Sequence, residues 1–121
     1  MEVKATKDYK KYSYSFVFGA ADLSKTAAIL YYLGIKGEVV KLVATIPNWT
    51  NTVTAVITMD NADSKEIFQS SSLAQNEEYD ITLIPNECVI MGAEGEQWKI
   101  TLSGVPGGAG GTVTLTAYVA G

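Results

Sequence analysis

The sequence contains no histidine and no arginine; all nine of its basic residues are lysine. Histidine is the usual general base near neutral pH and the commonest metal ligand. Its absence excludes Ser-His-Asp and Cys-His nucleophile arrangements within the chain. Arginine supplies the planar fork that grips phosphate or carboxylate with two bonds, so that mode of recognition is absent too. Cys88 is the single cysteine, which excludes an internal disulfide and a histidine/cysteine zinc site. No run of about 18 apolar residues occurs, so no membrane span is expected. The opening Met1-Glu2-Val3-Lys4 lacks the apolar stretch of a secretory leader, so Asn48-Trp49-Thr50 reads as a chance glycosylation sequon. The expectation is a non-enzymatic protein with no cofactor and no metal.

At 121 residues and 47% apolar content the chain suits one domain with one real core. Its formal charge of −4 argues against a nucleic-acid partner, because phosphate binding needs a basic face. The charge is unevenly placed. Residues 1–11 carry four lysines against Glu2 and Asp8, net +2; residues 60–96 carry nine acids against Lys65, net −8. The lysine-rich start reads as an N-terminal arm (residues 1–11) preceding a single sandwich domain (residues 12–121). The acidic half reads as a solvated surface, or as a complement to a basic partner.

Period-two alternation dominates, as in strands with one buried face. Tyr12, Tyr14, Phe16 and Phe18 form one aromatic face. Residues 26–33 read as a strand, although that stretch is apolar on every side. Val40, Leu42, Ala44 and Ile46 are expected inward on the next strand. After a turn at 47–51, Val53, Ala55, Ile57 and Met59 point inward, with Thr52, Thr54 and Thr58 outward. Strands at 65–70, 78–84, 88–91, 97–103 and 112–119 follow. The pattern specifies an all-β antiparallel sandwich of about eight strands, jelly-roll or immunoglobulin-like.

Four features invite a chemical reading. Gly107-Gly108-Ala109-Gly110-Gly111 resembles a phosphate-cradling loop, but no helix follows it and no Gly-Lys-Ser/Thr completes it. It reads as a hairpin connection, where glycine also permits close backbone approach. Asp60, Asn61, Asp63 and Glu66 lack the spacing and glycine of a calcium loop and read as an ordinary turn. Glu77, Glu78 and Asp80 could serve glycosidase chemistry only if buried, and the alternation places Glu78 and Asp80 on the wet face. Cys88, without a base beside it, reads as a small buried hydrophobe. The aromatics are left as core, inter-subunit seam or sugar-stacking platform. Trp49 stands apart, in a turn where it could anchor an interface or fold back as a lid on the sandwich.

Three segments carry a resemblance: residues 38–60 (EVVKLVATIPNWTNTVTAVITMD), Ser72-Leu73-Ala74-Gln75-Asn76, and residues 100–119 (ITLSGVPGGAGGTVTLTAYV). Their order resembles the small β-sandwich virion structural proteins of tailed bacteriophages, the capsid decoration and head accessory proteins, across residues 38–119. The resemblance implies a capsid decoration or cement protein of the virion, made in the host bacterial cytoplasm, that binds and stabilises the head shell. Its implied partner is the phage major capsid protein or another virion protein. A homo-oligomer is expected, a trimer favoured at a threefold position. The candidate interface residues are Lys4, Lys7, Tyr9, Lys10, Lys11, Tyr12, Trp49, Pro106, Gly108 and Tyr118. The alternative is a phage tail accessory protein, or a carbohydrate- or receptor-binding sandwich using Trp49 and exposed tyrosines.

Overall fold

A computed structural model describes residues 9–29, 36–85 and 87–120. Among the described residues nine strands follow one another: β1 (Tyr9–Phe18), β2 (Ser24–Ala28), β3 (Gly37–Ile46), β4 (Ala55–Asp60), β5 (Glu66–Gln69), β6 (Glu77–Thr82), β7 (Val89–Ile90), β8 (Gln97–Leu102) and β9 (Gly111–Ala120). Among the described residues no helix is long and apolar enough to cross a membrane.

The strands form two antiparallel sheets. Sheet A has the order β1-β9-β3-β6, with the two-residue β7 also paired to β3; sheet B has the order β2-β8-β4-β5. The pairing is nested: β1 with β9, β2 with β8, β3 with β6, and β4 with β5. The chain thus behaves as one long hairpin ribbon wrapped into two layers, which is a jelly roll rather than an immunoglobulin sandwich. Most sequence neighbours therefore lie in different sheets. Among the described strands, only β4 and β5 are both consecutive and hydrogen-bonded to each other. The turn between them is built by Asn61, whose side-chain oxygen accepts from the backbone N–H of Asp63 and Lys65.

The core is the alternation made solid. Tyr14, Phe16 and Phe18 of β1 are buried, as are Val113, Leu115, Ala117 and Val119 of β9. Opposite them sheet B contributes Ile57 and Met59 from β4, and Trp98 and Ile100 from β8. Large residues sit beside small ones: Trp98 pairs with Ala27, and Tyr12 with Ala117. Each fully buried side chain of this size stabilises the fold by about 1.5–3 kcal/mol over its exposed state. Cys88 is fully buried with its Sγ 3.2 Å from the Met59 sulfur, and burial, reinforced by Glu87 and Glu96, pushes its thiol up to about 12.

Several expectations are corrected. The inward residue at the start of β3 is Val39, fully buried, whereas Val40 is only half-buried. The register of β3 against β9 shifts between Val39 and Lys41, so a bulge flips the alternation there. Thr58, expected on the wet face, is 8% exposed, at the centre of sheet B between β8 and β5. The strand expected over 26–33 is β2, shorter and earlier; residues 30–33 lie outside the described set. Tyr9, Lys10 and Lys11, read as the end of the arm, pair with Ala120, Val119 and Tyr118. The glycine-rich loop is not a hairpin: it carries the chain from β8 in sheet B to β9 in sheet A.

Candidate interface

The candidate residues gather at the two ends of the sandwich. Lys4 and Lys7 lie outside the described residues. Trp49, Pro106 and Gly108 sit at the end where β1 finishes and β9 begins. Loops at 19–23, 47–54, 70–76 and 103–110 are stitched together there. Gly107 N–H donates to the Ala20 carbonyl (3.0 Å), and Asn51 N–H to the Pro106 carbonyl (2.9 Å). The Gln75 amide donates to Asn48 Oδ1 and to the Trp49 carbonyl, both at 3.1 Å, while its oxygen accepts from Val53 N–H. The three segments that carry the resemblance thus meet in one place.

At that end Trp49 is core and not a surface anchor. It is 2% exposed and its ring meets Phe18 edge-on, centroids 5.6 Å apart. A side chain on Gly111 would strike the Trp49 and Pro47 rings, and one on Gly110 would strike the Phe18 carbonyl. The glycines exist so that the crossing loop can lie against β1 and the indole. Pro106 is buried in the same packing, leaving Gly108 on the surface, close against Thr50.

The other group lies about 24 Å away, from Phe18 seven residues back along β1 at roughly 3.4 Å each. Tyr9, Lys10 and Lys11 are exposed; Tyr12 packs partly against the core. On the outer face of sheet A, Lys11, Tyr118 and Lys41 form one row across β1, β9 and β3. The Lys11 and Lys41 ammonium groups stand 5.8 and 5.6 Å from the Tyr118 ring centre, within reach of its electron-rich face. Lys41 also meets Asp80 of β6 at 3.4 Å. Lys41 escaped the sequence reading. Its outward position follows from alternation, but nothing local says that β3 lies beside β9. Below this row the face is hydroxyl-rich, with Ser13 and Thr116 hydrogen-bonded at 3.0 Å and Ser15, Thr114 and Thr45 aligned beyond.

The acidic residues singled out in the sequence fall in several places. Glu78 and Asp80 are exposed on β6, and Asp60 accepts from the Gln97 amide at 3.2 Å. Among the described residues no group of three or more Cys, Asp or Glu side chains is placed to hold a metal ion. Asp22 is held below the usual carboxylate range by the Gly19 N–H and then by Lys25, a surface turn contact. Tyr79 is pushed up, first by its hydrogen bond with Glu77, while its hydroxyl accepts from Ala74 N–H. Glu96 is the buried exception: its two oxygens accept from Met91 and Ala93 N–H, each at 2.9 Å, which holds the loop before β8 in shape.

No family model matches the chain, and no curated relative matches it in sequence. Among solved structures, the crystal structure of the Yersinia pseudotuberculosis-derived mitogen is similar at 13% identity and TM-score 0.41, over 94% of this chain and 87% of that one. A mutant VP2 protein of infectious bursal disease virus is similar at 14% identity and TM-score 0.39, over 99% of this chain. A VP2 subviral particle of the same virus gives 14% and 0.40, over 96% of this chain. The chain spans about a third of VP2, 34% in both cases. Likeness at this level carries no argument about function.

Proposed function

We propose that this protein is a non-enzymatic virion structural component, a bacteriophage capsid decoration protein that binds and stabilises the head shell. One observation carries the reading. β1 is ten residues long, pairs with β9 in unbroken register, and closes one side of sheet A with no described strand along its outer edge. Long regular edges are templates for further pairing unless they are covered, broken by proline or bulged. β1 has neither proline nor a bulge, and its lysines stand at one end only. An edge of this kind suits a protein whose work is contact with neighbouring subunits, in a homo-oligomer at a threefold site of the shell. The resemblance of residues 38–119 to phage head accessory proteins points the same way.

The test is solution mass by light scattering, on the protein alone and mixed with capsids lacking it. The expected result is a discrete oligomer that binds capsids at a saturating ratio and raises the shell's melting temperature. A protein that ignores capsids at any ratio would sink the proposal.

One feature favours a second reading, a carbohydrate-binding module. Tyr118, flanked by Lys11 and Lys41 above a hydroxyl-rich face, offers an aromatic platform with cations for an acidic sugar. Titration with acidic oligosaccharides, followed on the Tyr118 ring by NMR, separates the two. Saturable shifts abolished by Tyr118→Ala would favour the sugar.

A further inference from the structure

Two corners of sheet A carry opposite charge. Tyr9 pairs with Ala120, Ala120 with Glu38, and Glu38 with Val89, so β1, β9, β3 and β7 meet in one row. Three spacings of about 4.8 Å place Tyr9 and Val89 roughly 14 Å apart, at the two ends of that row. At the β1 corner Tyr9 is 49% exposed, and exposed Lys10 and Lys11 follow it. β1 itself carries no acid.

At the β7 corner a groove of about 360 Å³ lies between the β4–β5 turn and the loop that leaves β7. Ile67, Val89 and Met91 give it an apolar floor, and Met91 is 68% exposed. Exposed Asp63 and Glu87 and the buried Glu96 line it too. Among the described residues no lysine lines it; Lys36 passes close to Gly92 without doing so. The ion pairs Asp22–Lys25 and Lys41–Asp80 leave all three acids uncompensated. The two walls touch: a Cβ on Gly95, which has φ 101°, would stand 3.0 Å from the Ala62 carbonyl oxygen. An apolar floor with an acidic rim fits a tyrosine flanked by lysines. The ring meets the methionine and aliphatic side chains, and the ammonium groups meet the carboxylates. The β1 corner presents that combination. Its pairing with Ala120 holds it at the far end of the row, so it reaches only the groove of another copy.

We propose that Tyr9 of one copy seats in the groove of the next, head to tail, with Lys10 and Lys11 against Asp63 and Glu87. This contact rests on the homo-oligomer of the virion reading and says how that oligomer is built. Two different patches joined in this way repeat around an axis and close into a ring, such as the trimer favoured above. A β1 edge paired with a second β1 edge would instead stop at a dimer.

Charge swapping tests it, with mass read by sedimentation over a dilution series. The variant Lys10→Glu, Lys11→Glu and the variant Asp63→Lys, Glu87→Lys each set like charges together. Each should raise the dissociation constant about tenfold or more. All four changes in one chain leave the formal charge at −4 and should restore the oligomer. The smaller swap Lys10→Glu, Asp63→Lys spares the 3.0 Å bond from Ile84 N–H to Glu87, and should recover against its two single variants. Lys99→Glu, on sheet B, should change nothing. A groove variant that assembles like the parent would overturn the proposal. So would two swapped chains that both stay apart, or a parent that is monomeric at every concentration. Capsid binding separates this contact from the reading beneath it. A head-to-tail oligomer that ignores capsids keeps the contact and sinks the virion reading; a groove variant that assembles and binds capsids as the parent does has the reverse effect.

Discussion

Gly110→Ala is the sharpest test of the packing described above. Gly110 has φ 73°, a left-handed conformation that costs an alanine about 1–2 kcal/mol. The added Cβ would also fall on the Phe18 carbonyl oxygen, with the Phe18 and Gly19 carbonyl carbons 2.8 and 3.0 Å away. These are backbone atoms, so no side chain can swing aside. Relief requires prising the start of β9 from the end of β1, where Gly111 pairs with Phe18. Losing one such hydrogen bond costs about 0.5–1.5 kcal/mol. The expected destabilisation is therefore about 3 kcal/mol, a large share of the ~5–15 kcal/mol typical of a domain. With an m-value of roughly 1–3 kcal/mol per M, the urea midpoint should fall by about 1–3 M. Gly104→Ala in the same connection is the control. Its Cβ would meet only the Val53 Cγ1 at 3.6 Å, in ordinary contact and without a left-handed φ. Reduced freedom of the unfolded chain should leave it neutral or stabilised by about 0.4–1 kcal/mol. If both variants unfold within about 0.5 kcal/mol of the parent, the loop is a slack connector and the close-approach reasoning is wrong.

Three further outcomes are expected. Val39→Ala should cost about 2 kcal/mol, for two buried methylene equivalents and some cavity, and Val40→Ala less than about 1; equal midpoints in urea would refute the bulge as the source of the phase change. Glu96→Gln places an amide nitrogen against the Met91 or Ala93 N–H, so a buried donor goes unsatisfied at a cost of about 1–3 kcal/mol. An unchanged thermal midpoint would mean that the loop before β8 does not depend on that carboxylate. Cys88 should make the protein sensitive to alkali. Above its ordinary value of 9.0 the unfolded chain releases the thiol proton, while the folded chain keeps it until about 12. Stability should then fall through that window by about 1.4 kcal/mol per pH unit, more steeply than in Cys88→Ala. Parallel urea curves for the two proteins at pH 8.5 and 10.5 would contradict the burial of the thiol.

The fold was legible where one strand's own pattern decides it. Tyr14, Phe16 and Phe18, or Leu115, Ala117 and Val119, alternate so regularly that no other face could be buried. The exceptions are positions where a neighbouring strand intrudes. Val39 replaced Val40 because β9 pairs with β3 through a bulge, and Thr58 was buried between its hairpin partner β5 and β8, a strand far off in sequence. The candidate interface was less legible. Tyr9 to Tyr12 and Tyr118 were singled out on character alone, whereas Lys41 and Asp80 join them only through the order β1-β9-β3-β6.

By itself the sequence determined the chemistry excluded by the missing histidine and arginine, the all-β class, and the inward face of most strands. These are properties of composition and of a two-residue period. Only the tertiary structure decided the jelly roll over the immunoglobulin sandwich, turned Trp49 into core, and made the glycine loop a crossing between sheets. The physical reason is the same in each case. Strand pairing and loop packing join residues tens of positions apart, and their energy depends on which strands lie side by side, a quantity that no local pattern carries.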